Sequence, residues 1–345
     1  MPVRVAINGF GRIGRCVLRA WIESGRDDVE VVAINDLAPP ETNAHLLAYD
    51  SVHGRMAEKV ELREGRLRVA GHEIRVSSER DPAALDWADV DVALECTGLF
   101  TARDQAARHL ENGSQRVLIS APGKDADKTI VFGVNHDTLT DADRIVSNAS
   151  CTTNCLAPVA QVLDTVFGIE TGYMTTIHSY TGDQPTLDRA HKDLYRARAA
   201  ALSMIPTSTG AARAVGLVLP HLQGRLDGSA IRVPTPNVSV VDLSFMPARA
   251  PRDAAEVNEA IAAAAGRRPL AGILGLSEAP LVSQDFNHDP RSSILAADQT
   301  HVGEGGMVRV LSWYDNEWGF SNRMLDTSVA MTVAAARGRD VGAAA

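Results

Sequence analysis

Residues 3–14 read VRVAINGFGRIG, an apolar run that leads directly into a G-x-G-x-x-G pattern. Apolar residues from Ile13 to Trp21 then recur with the spacing of one helix face, which predicts an amphipathic helix ending near Gly25. The order of strand, glycines and helix is that of a dinucleotide-binding fold. In such a fold the glycines allow a tight turn and let a pyrophosphate approach the N-terminus of the helix.

A second apolar run, Val29 to Asn35, ends at Asp36. A carboxylate about 20 residues beyond the glycines is placed to accept hydrogen bonds from the adenosine ribose. Further strands are predicted at Val90–Leu94, Val117–Ser120, Ile130–Val134 and Ile145–Val146, and the segment holding His45, His53 and Arg55 is interpreted as a loop. The residues expected around the dinucleotide are Gly9, Gly11, Gly14, Asp36, Thr97, Gly98 and Ser120.

A cysteine marks the expected centre of the chemistry. Cys151 follows the strand-like run at 144–146 and a Ser/Thr-rich turn, and it precedes an apolar pattern with helical spacing. Ser150 is a suitable N-cap, and the N-terminus of the helix is expected to lower the pKa of the thiol. Cys155, one turn further on, is interpreted as a buried structural residue.

The second half of the chain alternates longer strands with helices. Gly172 to His178 reads as a strand that ends in a histidine, and a polar segment from Ser179 to Ala201 follows it. Pro206 to Gly210 leads into another helix face, and a Ser/Thr-Gly turn before a helix predicts an anion site. This half is predicted to form an α+β domain with a mixed or antiparallel sheet, beside a Rossmann domain of α/β class.

Composition narrows the function further. The 345 residues carry 34 Lys and Arg against 43 Asp and Glu, a net charge of -9, which argues against nucleic acid or an anionic membrane as the main partner. Four cysteines do not form a disulfide framework, so a reducing cytoplasm is the expected location. No apolar run suggests a membrane span. A metal site is not expected, because Asp285, His288 and Asp289 match no known ligand spacing.

A thiol, a histidine and a nicotinamide site together suggest oxidation of an aldehyde. The histidine would stabilise the thiolate and accept a proton as a hemithioacetal on Cys151 becomes a thioester. Attack by phosphate would then release an acyl phosphate. Two anion sites are needed for this, and the candidate donors are Ser150, Thr152, Thr181, Arg196, Thr209, Gly210 and Arg232.

Five stretches resemble phosphorylating glyceraldehyde-3-phosphate dehydrogenases of the bacterial type. They are residues 7–15, 147–158, 205–212, 232–242 and 314–319, and they extend over most of the chain. The resemblance implies Cys151 as nucleophile and His178 as base. It implies NAD contacts from Arg12, Ile13, Asp36 and Asn316, with Asn316 on the nicotinamide carboxamide. Thr181, Asp183, Arg196 and Arg232 would bind the substrate phosphate, and Ser150, Thr152, Thr209 and Gly210 the attacking phosphate.

The resemblance also implies a cytoplasmic homotetramer and a division of the chain. The dinucleotide domain is expected at residues 1–150, completed by the C-terminal helix 318–345, and the catalytic domain at 151–317. One departure concerns the cofactor: Arg189-Ala190 stands where NAD-preferring bacterial members carry Leu-Pro. The added cation favours a 2′-phosphate and Asp36 repels it, so the hypothesis is NAD preference with some use of NADP, which the ratio of the two specificity constants tests.

Two other functions stay open from the sequence. Residues 285–290 also resemble a relative that oxidises erythrose 4-phosphate and releases the acyl group to water, whereas residues 178–184 and 208–210 resemble the glyceraldehyde-3-phosphate enzyme more closely. A nucleotide-binding or RNA-binding regulatory protein on the same fold is the alternative outside enzymes. An intact pair of Cys151 and His178 would have no purpose in it.

Overall fold

The computed structural model describes residues 1–343, and for residues 339–343 only the backbone. The chain divides into two compact units. The first unit comprises Met1–Ala149 and the chain from Ser321 onward, and the second comprises Ser150–Phe320. Each unit has its own sheet and its own buried core.

The first unit contains short helices and mostly parallel strands. The strands are β1 (Val3–Asn8), β2 (Val29–Asn35), β3 (Tyr49–Asp50), β4 (Gly54–Arg55), β5 (Val60–Arg63), β6 (Arg66–Val69), β7 (His72–Ser77), β8 (Val92–Glu95), β9 (Arg116–Ile119), β10 (Lys128–Thr129) and β11 (Ile145–Ser147). The helices are α1 (Arg12–Ser24), α2 (Pro40–Ala48), α3 (Arg103–Ala106) and α4 (Arg108–Glu111).

The main sheet of this unit has the strand order β10-β11-β9-β8-β1-β2-β7-β6-β5. The strands from β10 to β7 pair in parallel, and β6 and β5 add an antiparallel edge. Chain order reverses at β1, which has β2 on one side and β8 on the other. Ligands bind at such a switch point, beyond the carboxyl ends of the strands, so the ends of β1, β2 and β8 define the predicted cofactor site.

Helix α1 begins immediately after the glycine turn, as the sequence predicts. Gly11 is its N-cap, and Gly25 ends it in the left-handed conformation at φ 60°, which glycine adopts without strain. Cys16, Val17, Ala20 and Trp21 are buried along one face. The hydrophobic pattern therefore fixes both the extent of the helix and the face that it packs on the sheet.

Two predictions in this unit are wrong. Residues 130–134 form a turn rather than a strand, because the Asn135 side chain accepts the Val131 N–H at 2.8 Å and Val134 N–H bonds back to the Val131 carbonyl at 3.0 Å. The strand of that region is β10, two residues earlier. His45 lies in helix α2 and Arg55 in strand β4, rather than in a loop, and the His45 ring is 4.9 Å from that of Tyr49. Pro40 at the start of α2 was the overlooked signal.

The second unit is built on a mixed sheet. Its strands are β12 (Ile169–Ser179), β13 (Ile205–Thr207), β14 (Leu226–Val233), β15 (Ser239–Pro247), β16 (Leu274–Ser277), β17 (Ser293–Ala296), β18 (His301–Val302) and β19 (Val308–Tyr314). The sheet order is β13-β14-β12-β15-β19-β17-β16, with β18 beside β19. Pairing is parallel between β12 and β14 and antiparallel between β12 and β15, which confirms the predicted mixed sheet.

The helices of this unit are α5 (Cys151–Phe167), α6 (Ala211–Val218) and α7 (Ala254–Ala265), and the last helix, α8 (Trp318–Ala343), continues into the first unit. Helix α5 is assigned as one helix through Pro158, whose missing N–H removes one internal bond. None of the helices among the described residues combines the length and the apolar character needed to cross a membrane.

The glycine turn yields a paired prediction on stability. A Cβ on Gly14 would lie 2.2 Å from the Gly9 carbonyl oxygen, whereas a Cβ on Gly11 meets nothing within 4 Å. Gly14→Ala should therefore lower the free energy of unfolding by about 1–3 kcal/mol, the usual cost of overpacking. Gly11→Ala is the matched control and should change it by less than about 1 kcal/mol. Denaturant unfolding of both variants checks this, and equal losses would contradict it.

Candidate active site

Cys151 is the first residue of helix α5, where the sequence analysis placed it. The Ser150 side chain caps this helix by accepting the Thr153 N–H at 3.0 Å, and its hydroxyl also lies 2.8 Å from that of Thr153. The preceding residue, Ala149, has a positive φ of 57°, which turns the chain sharply between β11 and the helix. The thiol is thus presented at a rigid helix start, on a residue that is partly exposed as a whole.

His178 lies opposite this thiol, near the end of β12. Its Nε2 is 3.5 Å from the Cys151 sulfur, and its Nδ1 is 2.7 Å from the Ser179 carbonyl oxygen. A carbonyl only accepts hydrogen bonds, so Nδ1 carries the proton and donates it. In the neutral ring, the lone pair of Nε2 then faces the sulfur. This is the arrangement that a base needs to accept the thiol proton.

Burial sets the resting charge of this pair. It lowers the pKa of His178 to about 4, with the positive charge of Arg232 acting in the same direction. Burial also raises the pKa of the Cys151 thiol, against the opposing effects of Arg232, the Thr152 hydroxyl and the backbone N–H groups of residues 151 and 152. The expected lowering by the helix N-terminus is therefore wrong for the resting chain, because desolvation of a thiolate outweighs it. Both groups are therefore uncharged in the resting chain at neutral pH.

A cationic cluster lies beside His178 in the same unit. Parallel pairing of β12 with β14 places Arg232 directly across from His178. The guanidinium donates to the Thr181 hydroxyl and, at 3.0 Å, to the Gln184 side-chain oxygen. Arg196 donates to Asp183 at 3.0 Å and to the Thr207 hydroxyl at 2.9 Å. The structure therefore brings together the four residues predicted for the substrate phosphate.

Sequence reasoning missed Gln184 and Thr207 in this cluster. Both orient an arginine, and neither carries a charge or belongs to a recognised spacing. The available signal was the spacing of three residues between Thr181 and Gln184 in the TGDQ run, because a turn brings two such residues together.

The donors predicted for a second anion lie at two helix starts. Gly210 is the N-cap of α6, and the Thr209 hydroxyl accepts the Ala211 N–H at 3.1 Å. The Thr153 hydroxyl reaches the Ala211 carbonyl at 3.4 Å, which joins the starts of α5 and α6. Thr152 differs from its neighbours: its side chain is buried and hydrogen-bonds the Tyr314 hydroxyl at 2.9 Å.

Asn316 is held by two serines. Its side-chain oxygen accepts hydrogen bonds from the hydroxyls of Ser179 and Ser239, both at 2.9 Å. With the oxygen occupied, the amide NH₂ is the end that can donate to a ligand carbonyl. Asn316 and His178 are thus linked through Ser179, whose hydroxyl donates to Asn316 and whose carbonyl accepts from His178.

In the first unit, a cavity of about 570 Å³ lies at the carboxyl ends of β1, β2 and β8. Asp36 lines it, with one carboxylate oxygen accepting the Phe10 N–H at 2.7 Å and the other the Ala38 N–H at 2.8 Å. Gly9, Gly11 and Thr97 also line it. The sequence analysis did not assign Asn8 and Asn35 to the cofactor site; they lie across from each other at the ends of β1 and β2 and line the same cavity.

The glycines fit a dinucleotide. Gly9 has φ 88°, and a Cβ there would lie 2.6 Å from the Thr97 nitrogen, so the turn packs directly on the neighbouring loop. Gly11 has open space where a side chain would be, which is the room that a pyrophosphate needs at the start of α1. Gly98 has φ 70°, and Ser120 N–H bonds the Glu95 carbonyl at 3.0 Å, beside the same strand ends. Ile13 is partly exposed in the first turn of α1, and the Arg12 guanidinium lies 2.5 Å from Asp50.

The acidic residues and the histidine of the run 285–290, where no metal site is expected, contact other side chains and the backbone. Asp289 pairs with Arg291 at 2.6 Å, Asp285 accepts the Val282 N–H at 2.8 Å, and the His288 ring stacks on Trp318 with centroids 3.6 Å apart.

In comparison with known proteins, the two units match the two domains of one enzyme family. Residues 3–103 match the family model for the NAD-binding domain of glyceraldehyde 3-phosphate dehydrogenase, and residues 150–316 match the model for its C-terminal domain. A glyceraldehyde-3-phosphate dehydrogenase from Cereibacter sphaeroides is 68% identical over 96% of this chain and 99% of its own length. The enzymes of the same name from Xanthobacter flavus and Pseudomonas aeruginosa are 66% and 58% identical, over 96% and 97% of this chain and 99% of each relative.

Identity at this level over nearly the whole length, with both domain models matched, shows the family without reference to any single motif. This chain belongs to the glyceraldehyde-3-phosphate dehydrogenase family.

Proposed function

We propose that this chain oxidises D-glyceraldehyde 3-phosphate with NAD and inorganic phosphate to 1,3-bisphosphoglycerate, and that Cys151 and His178 perform the chemistry. The observation that carries the residue assignment is the 3.5 Å approach of the His178 Nε2 to the Cys151 sulfur, with Nδ1 committed to a carbonyl. NAD bound in the first unit would supply the hydride acceptor for this oxidation.

The steps follow from the residues present. His178 takes the thiol proton, and the thiolate attacks the aldehyde carbon to give an alkoxide. His178 then returns the proton to this oxygen, which gives a hemithioacetal on Cys151 and a neutral imidazole. In oxidation the hemithioacetal hydroxyl loses its proton to His178 while hydride leaves the carbon, which gives a thioester. A phosphate oxygen then attacks the thioester carbon, and the acyl phosphate leaves as the Cys151 thiolate is restored.

Two groups of donors serve two anions. Thr181, Asp183, Arg196 and Arg232 orient the substrate phosphate, with Asp183 holding the Arg196 guanidinium in place. Ser150, Thr152, Thr209 and Gly210 form the site of the attacking phosphate near the starts of α5 and α6. Since Thr152 already bonds Tyr314, its part is to orient the helix start and the thiol rather than to donate freely.

Gly9, Gly11, Arg12, Ile13, Gly14, Asp36, Thr97, Gly98 and Ser120 form the NAD site, with Asn316 donating to the carboxamide. The Asp36 carboxylate lines the cavity, and a carboxylate at this position disfavours the 2′-phosphate of NADP. Use of NADP through Arg189, whose side chain is exposed, remains a hypothesis.

We also propose a cytoplasmic homotetramer. Within the second unit, the segment after His178 exposes large apolar side chains, a pattern that marks protein contacts. They are Leu187, Leu194, Tyr195, Leu202 and Met204, each more than 60% exposed in the single chain. A second chain is the occupant that the family resemblance implies.

The requirement for phosphate tests the reaction. NADH formation from glyceraldehyde 3-phosphate should continue only with inorganic phosphate, and without it should stop near one NADH per chain because the thioester accumulates. Cys151→Ser should lower turnover by at least about 10³-fold. Cys155→Ser is the matched control and should keep most of the activity. Sustained turnover without phosphate, or a preference for erythrose 4-phosphate, would contradict the assignment.

The role of His178 is tested by His178→Asn. Loss of the base should lower turnover by about 10²–10⁴-fold and slow alkylation of Cys151 by iodoacetamide. The pKa of His178 is about 4, so the ring is neutral above that pH and protonated below it. The advantage of the wild type should therefore persist down to pH 6 and fall as the pH approaches 4. An Asn variant with unchanged turnover and alkylation would exclude His178 as the base.

The proposed homotetramer predicts that a charge placed on the exposed apolar segment after His178 will lower the mass of the oligomer. Leu194→Lys places a charge on a side chain that is 81% exposed in the single chain, so a monomer should tolerate it. If this segment is buried between chains, the variant should dissociate into smaller species. Light scattering after gel filtration measures the mass, with Leu99→Lys, 72% exposed in the first unit, as the control. A wild type with the mass of one chain would contradict the proposal.

A further inference from the structure

A buried polar network lies behind the dinucleotide cavity, and two of its members, Glu95 and His109, have no part in the proposed reaction. Its centre is Glu95, the last residue of β8, which is 1% exposed. One carboxylate oxygen accepts the Thr97 backbone N–H at 2.9 Å and the Thr97 hydroxyl. The other accepts the Asn8 amide at 2.7 Å and lies 2.9 Å from Nε2 of His109. A buried carboxylate is tolerated only when its oxygens are satisfied in this way.

His109 completes the network from helix α4. It is fully buried, and its ring stacks on Trp87 with centroids 5.5 Å apart and an interplanar angle of 9°. Within the described part of the chain, its Nδ1 has no hydrogen-bond partner. An N–H is rarely left unpaired in a protein interior, so Nδ1 carries the lone pair and Nε2 carries the proton. His109 is therefore a donor to Glu95.

The side chains that Glu95 orients line the dinucleotide cavity. Asn8 and Thr97 both line it. The Asn8 side-chain oxygen in turn accepts the Asn35 amide at 2.8 Å, and the Thr97 hydroxyl accepts the Leu99 N–H at 3.0 Å. Asn35 and Leu99 line the cavity as well. A single carboxylate thus fixes the side chains at the ends of β1 and β2 and the turn after β8.

We propose that His109 is a positioning residue for the dinucleotide, acting through Glu95 on Asn8 and Thr97. Without the Nε2–H donor, a buried carboxylate oxygen loses a partner, and Glu95 can recover one only by rotating away from Asn8 or Thr97 or by taking up a proton. Either change shifts side chains that line the cavity. The inference rests on the proposed function, because it takes NAD as the ligand.

Two substitutions separate the donor from the ring. His109→Phe keeps an aromatic ring against Trp87 and removes the N–H. His109→Gln removes the ring and keeps an amide N–H at nearly the same reach. NAD⁺ binding to the purified full-length protein is measured by titration calorimetry. His109→Phe should raise the Kd about tenfold, the effect of one lost charge-assisted hydrogen bond, and His109→Gln should stay within about threefold of the wild type.

Turnover separates positioning from general damage. At saturating NAD⁺ and phosphate, kcat should stay within about threefold of the wild type in both variants, while KM for NAD⁺ follows the Kd. Asn135→Ala is the control for stability alone. Asn135 is buried in the same unit and bonds the Val131 N–H and the Thr129 carbonyl, outside the network. It should lower the melting temperature without changing the Kd.

The outcomes are distinct. An unchanged Kd in His109→Phe would overturn the inference, and a Kd in His109→Gln as weak as in His109→Phe would assign the effect to the ring instead of the donor. If His109→Phe does not accumulate as folded protein, Glu95→Gln makes the same test. The NH₂ group of Gln would face donors in either orientation, those of Thr97 or those of Asn8 and His109. An unchanged Kd in Glu95→Gln would also overturn the inference. A wild type that binds no NAD⁺ would count against the proposed function rather than against this network.

Discussion

The catalytic unit depends on one largely buried cation. Arg232 is 14% exposed at its side chain, and strand pairing sets it directly across from His178. Its charge helps to keep the imidazole neutral and opposes the rise that burial causes in the pKa of Cys151. A buried guanidinium needs acceptors, and Thr181 and Gln184 supply them from the turn that follows β12. His178, Cys151 and the side chains around Arg232 are therefore not independent, since all respond to the same charge.

The chemistry of the thiol is a balance between desolvation and nearby donors. A helix start by itself favours a thiolate, but here desolvation of the sulfur raises the pKa of the thiol despite the nearby positive charge of Arg232. In the proposed reaction, the neutral imidazole that faces the sulfur would take the thiol proton, and this internal transfer would form the thiolate without changing the total charge of the site.

Much of the fold and the site follows from local sequence. The glycine turn, Asp36, the nucleophile at a helix start and the histidine at a strand end each rest on a pattern whose physical cause is short-range. The features that the sequence did not predict depend on contacts that a local pattern does not show. Residues 130–134 have the composition of a strand, and only the side chain of Asn135 turns them away from the sheet. The pKa of Cys151 depends on burial, and Gln184 gains its role only from the register of β12 and β14. The assignment of the individual site residues stays a prediction.

The path of the chain has a consequence for biosynthesis. The first unit is discontinuous, because the part of helix α8 from Ser321 onward belongs with residues 1–149 while the whole catalytic unit lies between them. Arg26 pairs with Asp326 at 2.9 Å, and the Asn148 side chain accepts the Thr327 hydroxyl at 2.9 Å. On the ribosome, residues 150–320 emerge as one uninterrupted piece and can form their sheet first. The nucleotide-binding unit, although translated first, must wait with one face uncovered until α8 arrives, and that interval is when a nascent chain most needs a chaperone.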